Sequence, residues 1–166
     1  MRDAIEVSRW GARFRGHRLP CAIGRGGITR TKREGDGATP VGSHRIVGML
    51  YRPDRLPAAA LPGWAQPIGP RDLWSDDVSD PAYNSRVQAP HGFSHELLRR
   101  PDPLYDLILL TDWNFPDTVP GKGSAIFVHR WRKPRHPTAG CVAFAPDDLL
   151  WIARNLTPDT RLIVRG

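Results

Sequence analysis

The chain has little cysteine and no long hydrophobic run. Its 166 residues include two cysteines, Cys21 and Cys141, too few for a disulfide framework, although one bond between them remains possible. No apolar stretch is long enough to cross a bilayer, and the opening MRDAIEVSRW lacks the apolar region and cleavage site of a signal peptide. We therefore expect a chain with no transmembrane segment, although a leader removed earlier would leave the same sequence.

Zinc motifs are also lacking. The sequence has no CxxC, and the spacings of seven and five between His129, His136 and Cys141 match no usual zinc pattern. The 16 glycines and 17 prolines follow no repeat period. These observations argue against a metal site and against a repeat protein, and they favour a fold with many turns.

Basic charge is abundant. The 24 Lys and Arg exceed the 17 Asp and Glu, and the net charge is +7 with a pI near 10.2. Such a surface attracts polyanions, which include nucleic acid, anionic lipid and the acidic polymers of a cell envelope. The length suffices for one hydrophobic core, so we predict a single domain over residues 1–166, acting as a monomer.

The pattern of apolar residues predicts a mainly β fold. Short strands are expected at 5–10, 19–23 and 44–51, and two nearly continuous apolar runs at 105–113 and 124–129 predict buried central strands. Pro146 followed by two acids predicts the start of a helix that Thr157-Pro158 ends, before a last strand at 161–165. Residues 52–103 are predicted to form a long irregular insertion that provides a binding surface. Near its end, a short helix is predicted from Ser94 to Arg100.

One stretch carries most of the chemistry: HRWRKPRHPTAGCVAF, residues 129–144. His129 ends a predicted strand, and Cys141 follows a loop that contains prolines and can fold back on itself. A histidine and nearby positive charge can turn a thiol into a nucleophilic thiolate. Cys141 is therefore a candidate nucleophile, although single cysteines are more often buried without function, as we expect of Cys21.

Two neighbours of Cys141 suggest further roles. Gly140 has no Cβ, which allows a sharp turn that aims backbone N–H groups at a substrate carbonyl as an oxyanion hole. Thr138 is a candidate to orient the His129 imidazole through a hydrogen bond.

The same residues resemble a known family. A strand that ends in histidine, a loop, then Thr-Ala-Gly-Cys and a helix is similar to the catalytic segment of the L,D-transpeptidase (YkuD-like) domain, written His, a spacer, then Ser/Thr-His-Gly-Cys. The resemblance extends to REGDGATPVGSHRI at 33–46 and to YDLILLTDWN and GSAIFVH at 105–114 and 123–129. It implies a YkuD-like β-sandwich with one or two short helices and a long irregular insertion.

The resemblance also implies an activity. Cys141 would attack the L–D peptide bond of a peptidoglycan stem tetrapeptide, release D-alanine and pass the acyl group to an amine of a neighbouring stem. His129 would act as base and then acid, Thr138 would orient it, and Gly140 would form part of the oxyanion hole. The family uses no metal and no organic cofactor, works in the periplasm or cell envelope, and tends to react with carbapenems.

Three departures mark a divergent branch. Ala139 stands where the better-known branch has a second histidine, Ala143 stands where it commonly has an arginine, and the spacer between His129 and Thr138 has only eight residues. Other side chains must then hold the substrate carboxylate. The candidates that the sequence offers for substrate binding are Asn114 and the loop residues Arg130, Arg132, Lys133, Arg135 and His136.

Other functions remain open at this stage. Water in place of the amine would make the protein an L,D-carboxypeptidase or another cysteine hydrolase of peptidoglycan. A nucleic-acid-binding module would use the basic charge, with Trp64, Trp113 and Trp131 as stacking platforms. The dispersed charge and the absence of a nucleic-acid-binding motif argue against that second reading, and the basic loop is as compatible with simple solvation of a turn as with substrate binding.

Overall fold

Short strands dominate the structure. The computed structural model describes residues 3–166, so that Met1 and Arg2 of the predicted domain lie outside the described residues. The strands are β1 (Ala4–Ser8), β2 (Gly11–Phe14), β3 (His17–Leu19), β4 (Cys21–Ala22), β5 (Ile28–Thr29), β6 (Thr39–Pro40), β7 (Gly42–Tyr51), β8 (Gln66–Pro67), β9 (Asp72–Ser75), β10 (Arg86–Gln88), β11 (His95–Leu97), β12 (Leu107–Thr111), β13 (Phe127–Arg130), β14 (Val142–Phe144) and β15 (Arg161–Val164), and the helix is α1 (Pro146–Asn155).

One large sheet forms the body of the protein. Its strands follow the order β3-β2-β1-β15-β7-β12-β13-β14-β4, and β8 pairs with β7 outside this path. Strand β4, at one end of the order, lies near β2 at the other end, so the sheet nearly closes on itself. The prediction of a mainly β, YkuD-like fold is confirmed.

The helix α1 covers the inner side of this sheet. Pro146 stands at its N-terminus and Asp147 and Asp148 lie in its first turn, as the sequence predicts. Leu149 and Ile152 are fully buried against the sheet. Burial of each such side chain stabilises the fold by about 1.5–3 kcal/mol.

Strands β13 and β14 separate two hydrophobic clusters. They run parallel, with Val128 opposite Val142, and both valines belong to the larger core that also contains α1. Since side chains alternate along a strand, Phe127 and Cys141 point to the other face and join a second cluster. The candidate site lies on this second face.

The insertion at 52–103 is more regular than predicted. Strands β10, β9 and β11 form a three-stranded antiparallel sheet of their own within it. Trp74 of β9 is buried in the second cluster, where its ring meets Phe127 of β13 edge-on, with ring centroids 4.9 Å apart. The insertion therefore packs against the face of the large sheet that carries Cys141.

The predicted helix from Ser94 to Arg100 is wrong. Residues His95–Leu97 form strand β11, with Glu96 opposite Trp74. Ser94, the predicted N-cap, instead donates its hydroxyl to the Asp76 carboxylate at 2.6 Å. Pairing with β9 over a long sequence distance outweighs the weak helix signal of this short segment.

Candidate active site

His129 and Cys141 come together because β13 and β14 are parallel neighbours. His129 is paired with Ala143, two positions beyond Cys141, so the imidazole and the thiol lie on the same face. Both line a cavity of about 490 Å³. The arrangement brings together the two residues that the sequence predicts as nucleophile and base.

The Cys141 thiol is protected and neutral. The residue is only 8% exposed, and Sγ donates to the Ala125 carbonyl at 3.1 Å and accepts from the Phe127 N–H at 3.4 Å. Burial, with a smaller contribution from the nearby Glu96 carboxylate, raises the pKa of the Cys141 thiol to about 12. The resting residue is therefore a thiol at neutral pH.

The His129 imidazole is neutral as well. Its Nδ1 lies 2.7 Å from the Arg130 carbonyl oxygen, which can only accept, so Nδ1 carries the proton and Nε2 keeps its lone pair. The ring meets that of Tyr105 edge-on, at 5.3 Å between centroids. Burial lowers the pKa of His129 to about 4, so at neutral pH this residue is an unprotonated base.

Thr138 does not orient His129. Its hydroxyl donates to the Cys141 carbonyl at 2.6 Å and accepts from the Gly140 N–H at 3.1 Å. The Arg130 carbonyl holds the imidazole instead, as described above. The role predicted for Thr138 is therefore corrected: its side chain shapes the turn that places Cys141.

Gly140 is required for close packing, and its N–H is already used. Its φ is +142°, and a Cβ built on it would lie 2.9 Å from the Ala38 carbonyl oxygen. Its own carbonyl accepts the Thr39 hydroxyl at 2.8 Å. Because the Gly140 N–H donates to Thr138, it is not free to serve the predicted oxyanion hole.

The segment that contains Ala125 and Phe127, which hydrogen-bond the Cys141 thiol, is held in place from two sides. Glu34 accepts the Ser124 N–H at 3.0 Å and the Ser124 hydroxyl at 2.7 Å. Asn84 Oδ1, from the insertion, accepts the Ala125 N–H at 2.9 Å and the Trp74 indole N–H at 3.1 Å. Since Ala125 has a positive φ of 52°, these contacts fix a backbone conformation that alanine rarely adopts.

A protein-family model matches nearly the whole chain. The model of the L,D-transpeptidase catalytic domain (YkuD) matches residues 10–164. The chain belongs to this family. A search of curated proteins and a search of solved structures found no match to it. The family acts on peptidoglycan and is typically associated with the cell envelope.

The cavity of this L,D-transpeptidase domain mixes both signs of charge. Its lining contains four cations and three carboxylates besides His129 and His136. The cations are Arg25, Lys32, Arg100 and Arg132, and the carboxylates are Glu34, Asp76 and Glu96. Lys32 forms an ion pair with Asp36 and Arg100 one with Asp102, so Arg25 and Arg132 are the cations in the cavity that make no ion pair with another residue of 3–166.

Glu96 and the buried Tyr105 form a polar pair in the cavity. The Tyr105 hydroxyl donates to Glu96 Oε2 at 2.6 Å. Burial raises the pKa of the Glu96 carboxyl and raises that of Tyr105 well above its ordinary value. Sequence reasoning missed both residues as parts of the site. The size of the insertion predicted a binding surface without naming Glu96, and Tyr105 was predicted only as part of a buried strand.

The predicted substrate-binding residues divide into two groups. Arg132 and His136 line the cavity of Cys141. Arg135 does not: its guanidinium donates to the Trp10 carbonyl at 3.3 and 3.4 Å, in a separate groove. The positive φ of Arg135, 56°, reverses the loop at this point and directs the side chain away from the site.

Asn114 has a structural role instead of the predicted one. Its side chain donates to the carbonyls of Val119 and Gly123, at 3.0 and 2.9 Å, and accepts the Val119 N–H at 2.7 Å. These bonds close the loop that precedes Ser124. The residue is buried, and both of its amide N–H donors are already used, which leaves neither to bind a substrate carboxylate.

The second cysteine, Cys21, takes no part in the site. Cys21 and Cys141 are both free, so the disulfide that the sequence left possible is not formed. Cys21 lies in the larger core, as expected. Residues 3–166 contain no group of three metal-ligating side chains, and no helix among them has the length and apolarity needed to cross a membrane.

Proposed function

We propose that the protein is a peptidoglycan L,D-transpeptidase with Cys141 as nucleophile and His129 as general base. The observation that carries the proposal is the presence of both residues on one face of adjacent strands, in one cavity, within this family. The substrate places the reaction in the periplasm or elsewhere in the cell envelope.

Acylation begins from a neutral pair. A donor stem in the cavity presents its carbonyl carbon to Sγ, the new S–C bond forms, and the thiol proton passes to Nε2 of His129. Collapse of the tetrahedral intermediate breaks the C–N bond, and His129 returns the proton to the departing amine of D-alanine. Because burial raises the pKa of the Cys141 thiol well above neutral pH, the mechanism we propose has this proton transfer accompany the attack.

Deacylation uses the same groups in reverse. An amine of a second stem attacks the thioester carbon and His129 takes a proton from that amine. The C–S bond then breaks, and His129 returns the proton to Sγ, which regenerates the thiol. Water in place of the amine gives hydrolysis. The Cys141 N–H is the donor we assign to the oxyanion, because the Gly140 N–H is bonded to Thr138.

The unpaired cations in the cavity suit the carboxylate of the donor stem. Arg132 comes from the loop between β13 and β14, and Arg25 is anchored there by its own N–H, which donates to the Thr138 carbonyl at 2.8 Å. A guanidinium binds a carboxylate through two parallel hydrogen bonds. These two arginines take the role of the arginine that the chain lacks at position 143.

The mass of the intact protein tests the nucleophile. Incubation with a carbapenem should add one adduct to the native chain and to Cys21→Ala, and none to Cys141→Ala. Equal adducts in the native chain and in Cys141→Ala would show that Cys141 is not the nucleophile.

The acceptor is tested with a stem tetrapeptide and an added amine acceptor. A crosslinked product that forms with release of D-alanine supports transpeptidation. Release of D-alanine without a crosslinked product shows a carboxypeptidase.

A further inference from the structure

A second groove lies on the outer face of strands β1–β3. Its volume is about 490 Å³, and the residues that line it are different from those that line the cavity of Cys141. We call it the arginine groove and define it by Glu6, Trp10, Arg13, Arg18, Arg135 and Arg165. The proposed reaction uses none of these residues.

Charge in the arginine groove is poorly balanced. Arg13 on β2 and Arg18 on β3 are directly opposite each other, and both are exposed. Like charges in this position destabilise a strand pair. Glu6 on β1 is the register partner of Arg13 on its other side, but the Glu6 carboxylate binds Arg165 at 2.8 Å, and neither Arg13 nor Arg18 forms an ion pair within residues 3–166. An anion from outside the chain would supply the missing negative charge.

An exposed aromatic ring borders these arginines. Trp10 is 73% exposed, and the Arg9 guanidinium covers one face of its indole, 4.5 Å from the ring centroid. Its backbone is fixed by the bonds from Arg135 to the Trp10 carbonyl. An exposed indole is suited to stack on a flat or ring-shaped ligand.

We infer that the arginine groove is a second, noncatalytic binding site for peptidoglycan strands, an inference that rests on the proposed function. Peptidoglycan carries both kinds of group that the groove is suited to bind, carboxylates and rings. The carboxylates of its stem peptides match Arg13 and Arg18 in charge, and its sugar rings match the exposed indole of Trp10. A single-stranded nucleic acid fits less well, since its binders present several aromatic rings in succession and the groove presents one.

The loop between β13 and β14 connects the two sites. Arg132 and His136 line the cavity of Cys141, whereas Arg135 between them reaches the arginine groove. A strand held in the groove therefore lies close to the catalytic loop, and its neighbouring stems are presented to the cavity at a raised local concentration. The groove should increase the rate on polymeric substrate and leave the rate on a small acyl donor unchanged.

Cosedimentation with isolated sacculi tests the groove. The groove variant is Arg13→Gln/Arg18→Gln. The matched control, Arg86→Gln/Arg99→Gln, removes two exposed arginines that lie outside both the groove and the cavity of Cys141. At low salt the groove variant should bind sacculi about tenfold more weakly than the native chain, and the control within about twofold. Carbapenem acylation of Cys141 should proceed at the same rate in all three proteins.

The outcomes separate the inference from the proposed function. Equal sacculus binding by the groove variant and the native chain overturns the inference, as does a groove variant that loses binding only to single-stranded DNA. A native chain that binds sacculi through the groove but never acylates at Cys141 overturns the proposed function and leaves the groove as a binding site.

Discussion

The cavity of Cys141 and the arginine groove are similar in volume and differ in how charge is arranged. The cavity surrounds a buried thiol and imidazole with four cations and three carboxylates. The arginine groove has four arginines and one carboxylate, and its ligand-facing side chains stay in solvent. Exposed charge costs little because water solvates it, whereas charge near a buried group changes the protonation of that group.

The comparison indicates that the two regions have different roles, with reactivity expected in the cavity and binding in the arginine groove. In the cavity, burial keeps Cys141 and His129 neutral until a substrate arrives, and mixed charges suit a stem peptide that carries both carboxylate and amine. In the groove, unbalanced positive charge is suited to attract a polyanion, and it lies apart from Cys141 and His129. The contrast predicts that changes in the cavity alter reactivity and that changes in the groove alter binding.

The largest effect expected is on the reactivity of the resting thiol. With a pKa of about 12, Cys141 should react with iodoacetamide at pH 7 more than ~1,000-fold slower than free cysteine, and tenfold faster for each unit of pH gained. Intact mass measured over time on Cys21→Ala, which leaves one thiol, gives the rate. Rapid alkylation at neutral pH would reveal a resting thiolate and remove the contrast between a neutral cavity and a charged groove.

Removal of the base should have the next largest effect. His129→Gln should slow carbapenem acylation by roughly 10²–10³-fold, because no group then accepts the thiol proton. In the native chain the rate should be flat from pH 5 to 8 and fall as the pH drops through the pKa of about 4, where His129 becomes protonated. This acid limb should be missing in the variant, whose fold is checked by circular dichroism. An unchanged pH profile in His129→Gln would assign the base to another residue.

A smaller effect is expected from the turn before Cys141. Gly140→Ala should lower the free energy of unfolding by about 2 kcal/mol, since φ is +142° and the new Cβ meets the Ala38 carbonyl. Urea unfolding of the variant measures this. Ala139→Gly, at the exposed neighbouring position, is the control and should change stability far less. Equal stability of Gly140→Ala and the native chain would mean that this turn is not held by its contact with Ala38.

The sequence predicts the placement of the proposed catalytic pair better than that of its surroundings. His129 and Cys141 lie at the ends of one loop, so local pattern and strand order suffice to bring them together. The partners of Gly140 do not follow from pattern, because Thr39 bonds to it across 101 positions of sequence. The direction of Arg135 is equally hidden, since it depends on a positive φ at one loop residue.

The insertion also shows that contacts between distant segments are not predictable from a local sequence pattern. Its length predicts a binding surface, and it does contribute Asp76, Glu96 and Arg100 to the cavity. The position of Glu96 was missed because a short segment with a serine before it resembles a capped helix. The segment is a strand because it pairs with β9, and a local sequence pattern does not reveal this pairing. The pairing also places Glu96 within hydrogen-bond distance of Tyr105.

The smallest effect is expected from Arg18→Gln in the arginine groove, which should change stability and binding in opposite directions. Arg18→Gln removes the like charge opposite Arg13, so it should raise the free energy of unfolding by about 0.5 kcal/mol at low salt, while it weakens binding to sacculi. High salt should abolish the gain in stability, because exposed charges are screened. Urea unfolding at two salt concentrations measures the gain, and Arg86→Gln, whose register partner is the uncharged Trp74, should show none. If Arg18→Gln lowers stability at low salt, then Arg18 contributes to the fold itself, and the unbalanced charge of the groove no longer argues for an external anion.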